Sequence, residues 1–181
     1  RNFFHDPELP FYFVQLSSLN RPSWPRFRDS QRRMASKLHN TWMAVTTDIG
    51  DSLDVHYTNK KPVGERLGLQ ALCHSYDYKI ESEGPVCYSI SVKDNGLELQ
   101  FVHAQSLSAN GSRLIGFEVA GAYGIFYPAE AQITSSNTIL VKASSVPRPL
   151  YVRYGWQPFT RANLVNEVGL PCSTFQWKVR K

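Results

Sequence analysis

The sequence predicts two units in succession: an α/β unit of β-α-β-α order over residues 1 to 79 and an all-β unit over residues 80 to 181. Three observations carry that expectation. Up to about residue 76, continuous apolar runs of the buried-strand type alternate with stretches of helical spacing. Both helical stretches carry a proline in the first turn, where its missing N–H has no helical partner to lose. From about residue 80 onward, short β-rich segments separated by turn signals take over.

The first strand is expected at Leu9-Pro10-Phe11-Tyr12-Phe13-Val14-Gln15-Leu16. Ser23-Trp24-Pro25 then begins a helix that has Phe27, Met34 and Leu38 available for its inner side. A second buried strand runs from residue 42 to 47. After a loop bearing Asp and His, Pro62 starts a second helix whose Val63, Leu67 and Ala71 recur every four residues, with Leu69 and Leu72 widening the stripe. Two parallel strands do not make a stable sheet alone, because such a sheet is buried on both faces and its edges need partners. The other strands are therefore expected from elsewhere, either an N-terminal part outside this sequence or a separate chain packed against residues 11 to 16 and 42 to 47.

In the second unit, residues 87 to 93 and 97 to 103 flank Asp94-Asn95-Gly96. That is a strong hairpin signal, since Asn and Gly adopt positive φ at low cost. Residues 113 to 119, 123 to 133, 138 to 143 and 150 to 156 read as further strands, giving an antiparallel sandwich or jelly roll.

A hydrophobic share of 42% in 181 residues is enough for a core and excludes a disordered chain. No apolar run approaches the roughly 18 residues of a membrane span. Arg1-Asn2-Phe3-Phe4-His5 lacks both a Met and a signal-peptide core, so Arg1 reads as a cut or processed end. The formal charge of +5 clusters only at Arg26, Arg28, Arg32 and Arg33, which share a helix with Asp29. Without a nucleic-acid motif, that cluster reads as a solvated face. Cys73, Cys87 and Cys172 lack metal-ligand spacing and read as small buried hydrophobes, with room for one disulfide. His5, His39, His74 and His103 are scattered, so no metal site is expected. The sequon Asn110-Gly111-Ser112 matters only in a protein secreted by a eukaryote.

The chemistry-bearing stretch is Thr47-Asp48-Ile49-Gly50-Asp51-Ser52-Leu53-Asp54-Val55-His56. A histidine is the default general base, and a carboxylate on its other ring nitrogen fixes the tautomer. His56 has Asp54, Asp51 and Asp48 nearby in the chain, the last at the carboxyl end of a strand, where open α/β sheets bind ligands. Spacing alone leaves this loop open between a catalytic site and a turn with capping carboxylates. No Gly-x-Ser-x-Gly nucleophile motif occurs anywhere.

The motifs Leu9 to Leu16, Trp24 with Arg28 and Gln31, Met43 to Asp51, Asp54-Val55-His56 and Asn59 to Leu67 occur in the order found in one known family. Gly116-Phe117-Glu118, Val152 to Trp156, and Asn163-Leu164 with Gly169-Leu170-Pro171 extend the match into the second unit. On these residues the chain resembles the C-terminal part of the sialate O-acetylesterase family, serine esterases of the SGNH-hydrolase type that remove acetyl groups from sialic acids and related sugars.

The resemblance implies that the first unit is the C-terminal β-α-β-α part of a flavodoxin-like SGNH hydrolase domain, followed by the antiparallel β-sandwich. It implies that His56 is the catalytic histidine, with Asp54 and Asp48 as nearly equal candidates for its acid and Asp51 behind them. No cofactor is implied. The serine and oxyanion donors would lie in an N-terminal chain or part of the same precursor, since Ser52, Ser17 and Ser18 sit in no matching context. Its substrate would be an O-acetylated sialic acid or related glycan, and its setting secreted, periplasmic or lysosomal. Tyr57 departs from the family's usual proline after the histidine. That departure keeps open a non-catalytic carbohydrate-binding or structural module, and an esterase acting on other acetylated polysaccharides is a further alternative. Trp24, Trp156 and Trp177 could stack on a sugar, and Arg28 and Arg153 could bind a sugar carboxylate. Core or interdomain packing is the plainer expectation for the tryptophans; an interdomain ion pair is the alternative for both arginines and the expected one for Arg153.

Overall fold

The computed structural model describes residues 1–179. It is a mixed α/β structure in which antiparallel sheets predominate. The first half holds β1 (Phe11–Val14), α1 (Trp24–Ala35), β2 (Thr41–Ala44) and α2 (Lys61–His74). β1 and β2 pair in parallel, Phe11 with Thr41 through Val14 with Ala44. Both helices carry proline in their first turn, as their sequences require. α2 is fastened to the sheet by aromatic stacking: the Trp42 ring lies 4.2 Å from that of His74 and 5.4 Å from that of Tyr12, centroid to centroid.

Both strands are shorter than expected. The Gln15 N–H still donates to the Ala44 carbonyl at 2.9 Å, and after that bond the chain turns to side-chain partners, with Gln31 Oε1 accepting from the Leu16 N–H at 2.9 Å and Thr46 Oγ1 donating to the Gln15 carbonyl at 2.6 Å. The strands are also not buried on both faces, since Phe11 is 55% exposed and Val14 36%. α1 likewise departs from expectation, because it buries Pro25, Arg28 and Asp29 while Phe27, Met34 and Leu38 are exposed. The reason is Arg28: its guanidinium finds acceptors only on the β-rich half, and satisfying it turns that face inward.

The second half holds β3 (Val86–Lys93), β4 (Gly96–Val102), β5 (Ser108–Ala109), β6 (Phe117–Ala120), β7 (Phe126–Pro128), β8 (Glu130–Ser135), β9 (Thr138–Lys142), β10 (Tyr151–Tyr154), β11 (Leu164–Val165) and β12 (Phe175–Lys178). Two four-stranded sheets, β12-β10-β6-β7 and β3-β4-β9-β8, enclose the core, with β11 and β5 forming a small pair. Leu97, Leu99, Phe101, Ile139 and Val141 meet Phe117, Val119, Val152, Tyr154 and Phe175 between the sheets. Each set alternates along its strands, as one buried face demands. The single strand expected over 123 to 133 is two: β7 pairs with β6, β8 pairs with β9, and the chain crosses between sheets. Pro128, which has no N–H for a ladder, stands at that crossing.

The hairpin between β3 and β4 turns on Asp94 and Asn95, both at positive φ, with Lys93 opposite Gly96. Gly96 serves a different need from the one its sequence suggests. A Cβ there would lie 2.6 Å from the Val141 carbonyl, so glycine permits β9 to approach.

Contacts between the halves are polar and specific. Arg28 is fully buried and donates to the carbonyls of Gly155 (2.9 Å), Gln157 (2.6 Å) and Pro158 (3.0 Å), and to Thr174 Oγ1 (2.9 Å). Burial lowers its pKa to about 10, still far above neutrality, so it stays charged without a carboxylate partner. Gln15 Nε2 donates to Ser173 Oγ at 2.7 Å, and Thr47 Oγ1 to the Cys172 carbonyl at 3.1 Å. All three cysteines are free thiols. Among the described residues, no helix is long and apolar enough to cross a membrane.

Candidate active site

The parallel strands end where the Asp- and His-bearing loop begins. Thr46 and Thr47 are buried and anchored through their hydroxyls, so the following residue leaves the sheet in a fixed direction. That residue is Asp48. Both its oxygens are taken by Arg66 of α2, Nη1 donating to Oδ1 and Nη2 to Oδ2 at 2.7 Å each, and Nη1 also donates to the Val45 carbonyl at 2.8 Å. The bidentate fork ties the strand end to the helix.

The loop then passes tightly against the segment after β1. Ser18 N–H donates to the Ile49 carbonyl at 2.9 Å, and Ser18 pairs with Gly50. Gly50 has φ 129°, and a Cβ there would fall 2.2 Å from the Ser18 carbonyl oxygen, so only glycine fits. Asp51 closes the next turn, its Oδ1 accepting from the N–H groups of Leu53 (2.7 Å) and Asp54 (3.1 Å). Those two bonds lower its pKa, because they favour the charged carboxylate.

Asp54 repeats the device one step on, its Oδ1 accepting the His56 N–H at 2.7 Å. His56 itself is exposed, and its ring has no hydrogen bond to Asp48, Asp51 or Asp54 among the described residues. Tyr57 is half-buried under the Lys60 ammonium, which sits 3.8 Å from its ring centroid. Burial pushes the Tyr57 hydroxyl pKa up, with Asp48 adding to the rise and Arg66 opposing it.

The three carboxylates named from the sequence thus have different occupations. Asp48 is spent on Arg66, Asp51 on two backbone amides, and Asp54 uses one oxygen on the backbone of His56 and keeps the other free. Arg66 escaped sequence reasoning although it lies in the Asn59 to Leu67 motif, because its partner Asp48 is 18 residues away and only the packing of α2 on the strand end brings them together. Ser18 is not placed as a nucleophile: its Oγ donates to the Thr160 carbonyl (3.1 Å) and accepts from the Thr160 N–H (2.6 Å) in a buried setting.

The arginines are also resolved. Arg153 makes a two-bond pair with Glu118, at 2.9 Å each, directly across the β6–β10 ladder, so the pair lies within one sheet and not between domains. Arg28 does join the halves, through carbonyls and a hydroxyl instead of an ion pair. Trp24 donates its indole N–H to the Ser17 carbonyl at 2.9 Å, and Trp177 packs against the sandwich core.

No protein-family model matches this chain, and no curated protein does. Among solved structures, that of a carbohydrate acetylesterase from Xanthomonas citri is similar, with a TM-score of 0.90 and 34% sequence identity. The likeness covers 97% of this chain and 43% of that protein, so the chain spans less than half the length of its relative.

Proposed function

We propose that this chain is part of a carbohydrate O-acetylesterase that hydrolyses acetyl esters through an acetyl-serine intermediate. The observation that carries the reading is the likeness, over nearly the whole chain, to a carbohydrate acetylesterase. The first half is the end of a flavodoxin-like SGNH hydrolase domain. Its serine and oxyanion donors come from polypeptide outside these 181 residues, packed on the open edge of β1. The exposed Phe11 and Val14 support that placement, as does the outward face of α1 with Phe27 and Met34.

In this reading, His56 takes the proton from the serine hydroxyl as the serine attacks the acetyl carbonyl, and returns it to the departing sugar oxygen. Asp54 is its acid. The support is by elimination: Asp48 has both oxygens on Arg66, whereas Asp54 keeps one free and sits two residues from the histidine. Completing the pair requires the exposed imidazole to turn toward that oxygen, which docking of the serine-bearing segment would promote. Asp48 and Arg66 hold the strand end that aims the loop. O-acetylated sialic acid is the substrate named by the sequence resemblance.

The test is acetate release from 9-O-acetylated sialic acid and from acetylated xylo-oligosaccharides by the full-length protein, beside His56→Ala. Activity that falls by about 10⁴-fold or more with His56→Ala supports the esterase. One observation favours a second reading, a non-catalytic carbohydrate-binding module: the His56 ring has no carboxylate partner among the described residues. Absence of acetate release from every ester, with binding of the sugar retained, would select the module.

A further inference from the structure

The two arginines that the sequence offered for an anionic group are both occupied, Arg28 by the interface carbonyls and Arg153 by Glu118. Arg161 is not. It lies in the segment between β10 and β11, exposed, with its guanidinium carbon 5.0 Å from the Phe159 ring centroid and no carboxylate partner among the described residues. It lines a cavity of about 200 Å³ shared with Asp48 and Gly50, at the carboxyl end of the parallel strands, and with Asn110 and Asn163 from the sandwich.

The backbone on both sides of Arg161 is fixed. Before it, Thr160 is clasped by Ser18, the residue that pairs with Gly50. After it, the Ala162 N–H donates to Thr160 Oγ1 at 3.1 Å, and Asn163 is held by three bonds: its Nδ2 donates to the carbonyls of Asn110 (3.3 Å) and Arg113 (2.9 Å), and its Oδ1 accepts from the Ile115 N–H (3.0 Å). A segment held on both sides therefore places Arg161 on the cavity wall, its guanidinium over Phe159, which lines the same cavity. The other charged residue lining it, Asp48, is neutralised by Arg66, so the cavity carries the positive charge of Arg161. A guanidinium stacked on an aromatic ring, with its fork free, is suited to a planar carboxylate more than to a neutral hydroxyl.

We infer that Arg161 binds the carboxylate of an acidic sugar and so sets the substrate class of this site. The inference rests on the proposed esterase reading for its biological meaning, but its physical content is a binding site. Sialic acids and uronic acids share the chemistry, and binding measurements separate them.

Dissociation constants of N-acetylneuraminic acid, galacturonic acid and the methyl ester of each are measured by titration calorimetry on the full-length protein, for wild type, Arg161→Gln and Arg161→Lys. At least one free acid is expected to bind, its methyl ester at least tenfold more weakly. Arg161→Gln is expected to weaken the acid by roughly tenfold to a hundredfold without affecting the ester, and Arg161→Lys to fall between, since it keeps the charge and loses the fork. Binding of neither acid, or equal binding by wild type and Arg161→Gln, overturns the inference. Wild-type hydrolysis of 4-nitrophenyl acetate is followed in parallel. Arg161-dependent binding with no hydrolysis keeps the anion site and removes the esterase, whereas hydrolysis with Arg161-independent binding does the reverse.

Discussion

Arg66 holds both carboxylate oxygens of Asp48 at 2.7 Å, across a separation of 18 residues. The pair closes the corner between β2 and α2 from which the His56 loop departs, and it withdraws one of two candidate acids from the histidine. The two proposed roles make different predictions. Asp48→Asn and Arg66→Met should each destabilise the protein by about 2 kcal/mol, with non-additive effects in the double variant. Asp54→Asn should leave the melting temperature almost unchanged while lowering kcat by about 10⁴-fold. Thermal denaturation and acetate release on these four variants provide the comparison, and a larger kcat loss in Asp48→Asn than in Asp54→Asn would reverse the assignment.

The interface arginine is expected to dominate stability. Arg28→Met removes four donated bonds at once, to the carbonyls of Gly155, Gln157 and Pro158 and to Thr174 Oγ1; Gly155 keeps the Thr174 hydroxyl as a donor and Pro158 the Leu19 N–H, while Gly155 and Thr174 lie in buried positions. The expected loss is about 3 kcal/mol or more, and Arg28→Lys should recover little because an ammonium does not span the fork. Urea denaturation of the three proteins measures it; a loss below 1 kcal/mol, about the value of an exposed polar contact, would mean the carbonyls find water instead.

Acid should loosen the attachment of α2. His74, stacked on Trp42, has its pKa lowered first by burial and further by His103, with Glu83 and Glu81 acting the other way. A folded-state value below the unfolded one means that the unfolded chain binds the proton more readily. The neutral ring therefore stabilises above the unfolded pKa of about 6.5, and that contribution is lost as pH falls from there through the folded value. Denaturation midpoints at pH 7.5 and 5.5 should differ less in His74→Gln than in wild type.

Thiol chemistry should follow burial. Cys87 and Cys172 are buried, burial pushing the Cys87 pKa up to about 12 and that of Cys172 well above the usual range, whereas Cys73 is half-buried. A thiol-specific reagent at pH 8 should modify Cys73 quickly in the native protein and all three only after denaturation, because the thiolate is the reactive form. Rapid modification of two thiols without unfolding would contradict the packing of the sandwich core.

Features that depend on a few neighbouring residues were legible in the sequence: the two proline-started helices, the turn at Asp94 and Asn95, and the alternating core strands of the sandwich. So was the position of the Asp- and His-bearing loop after β2, because an apolar run followed by polar turn residues marks a strand end locally. What each of those side chains does was decided only by tertiary structure. Asp48 faces Arg66, Ser18 clasps Thr160 across 142 residues, and Arg28 reaches carbonyls as many as 130 residues away. The same holds for the inward turn of Arg28 in place of Phe27, and for the break that sends residues 126 to 135 into two sheets. Periodicity and turn chemistry act over one or two helical turns or a hairpin, so they are written along the chain. Charge pairing and the satisfaction of buried polar groups depend on which distant segments meet, and that is fixed only when the sheets and helices pack.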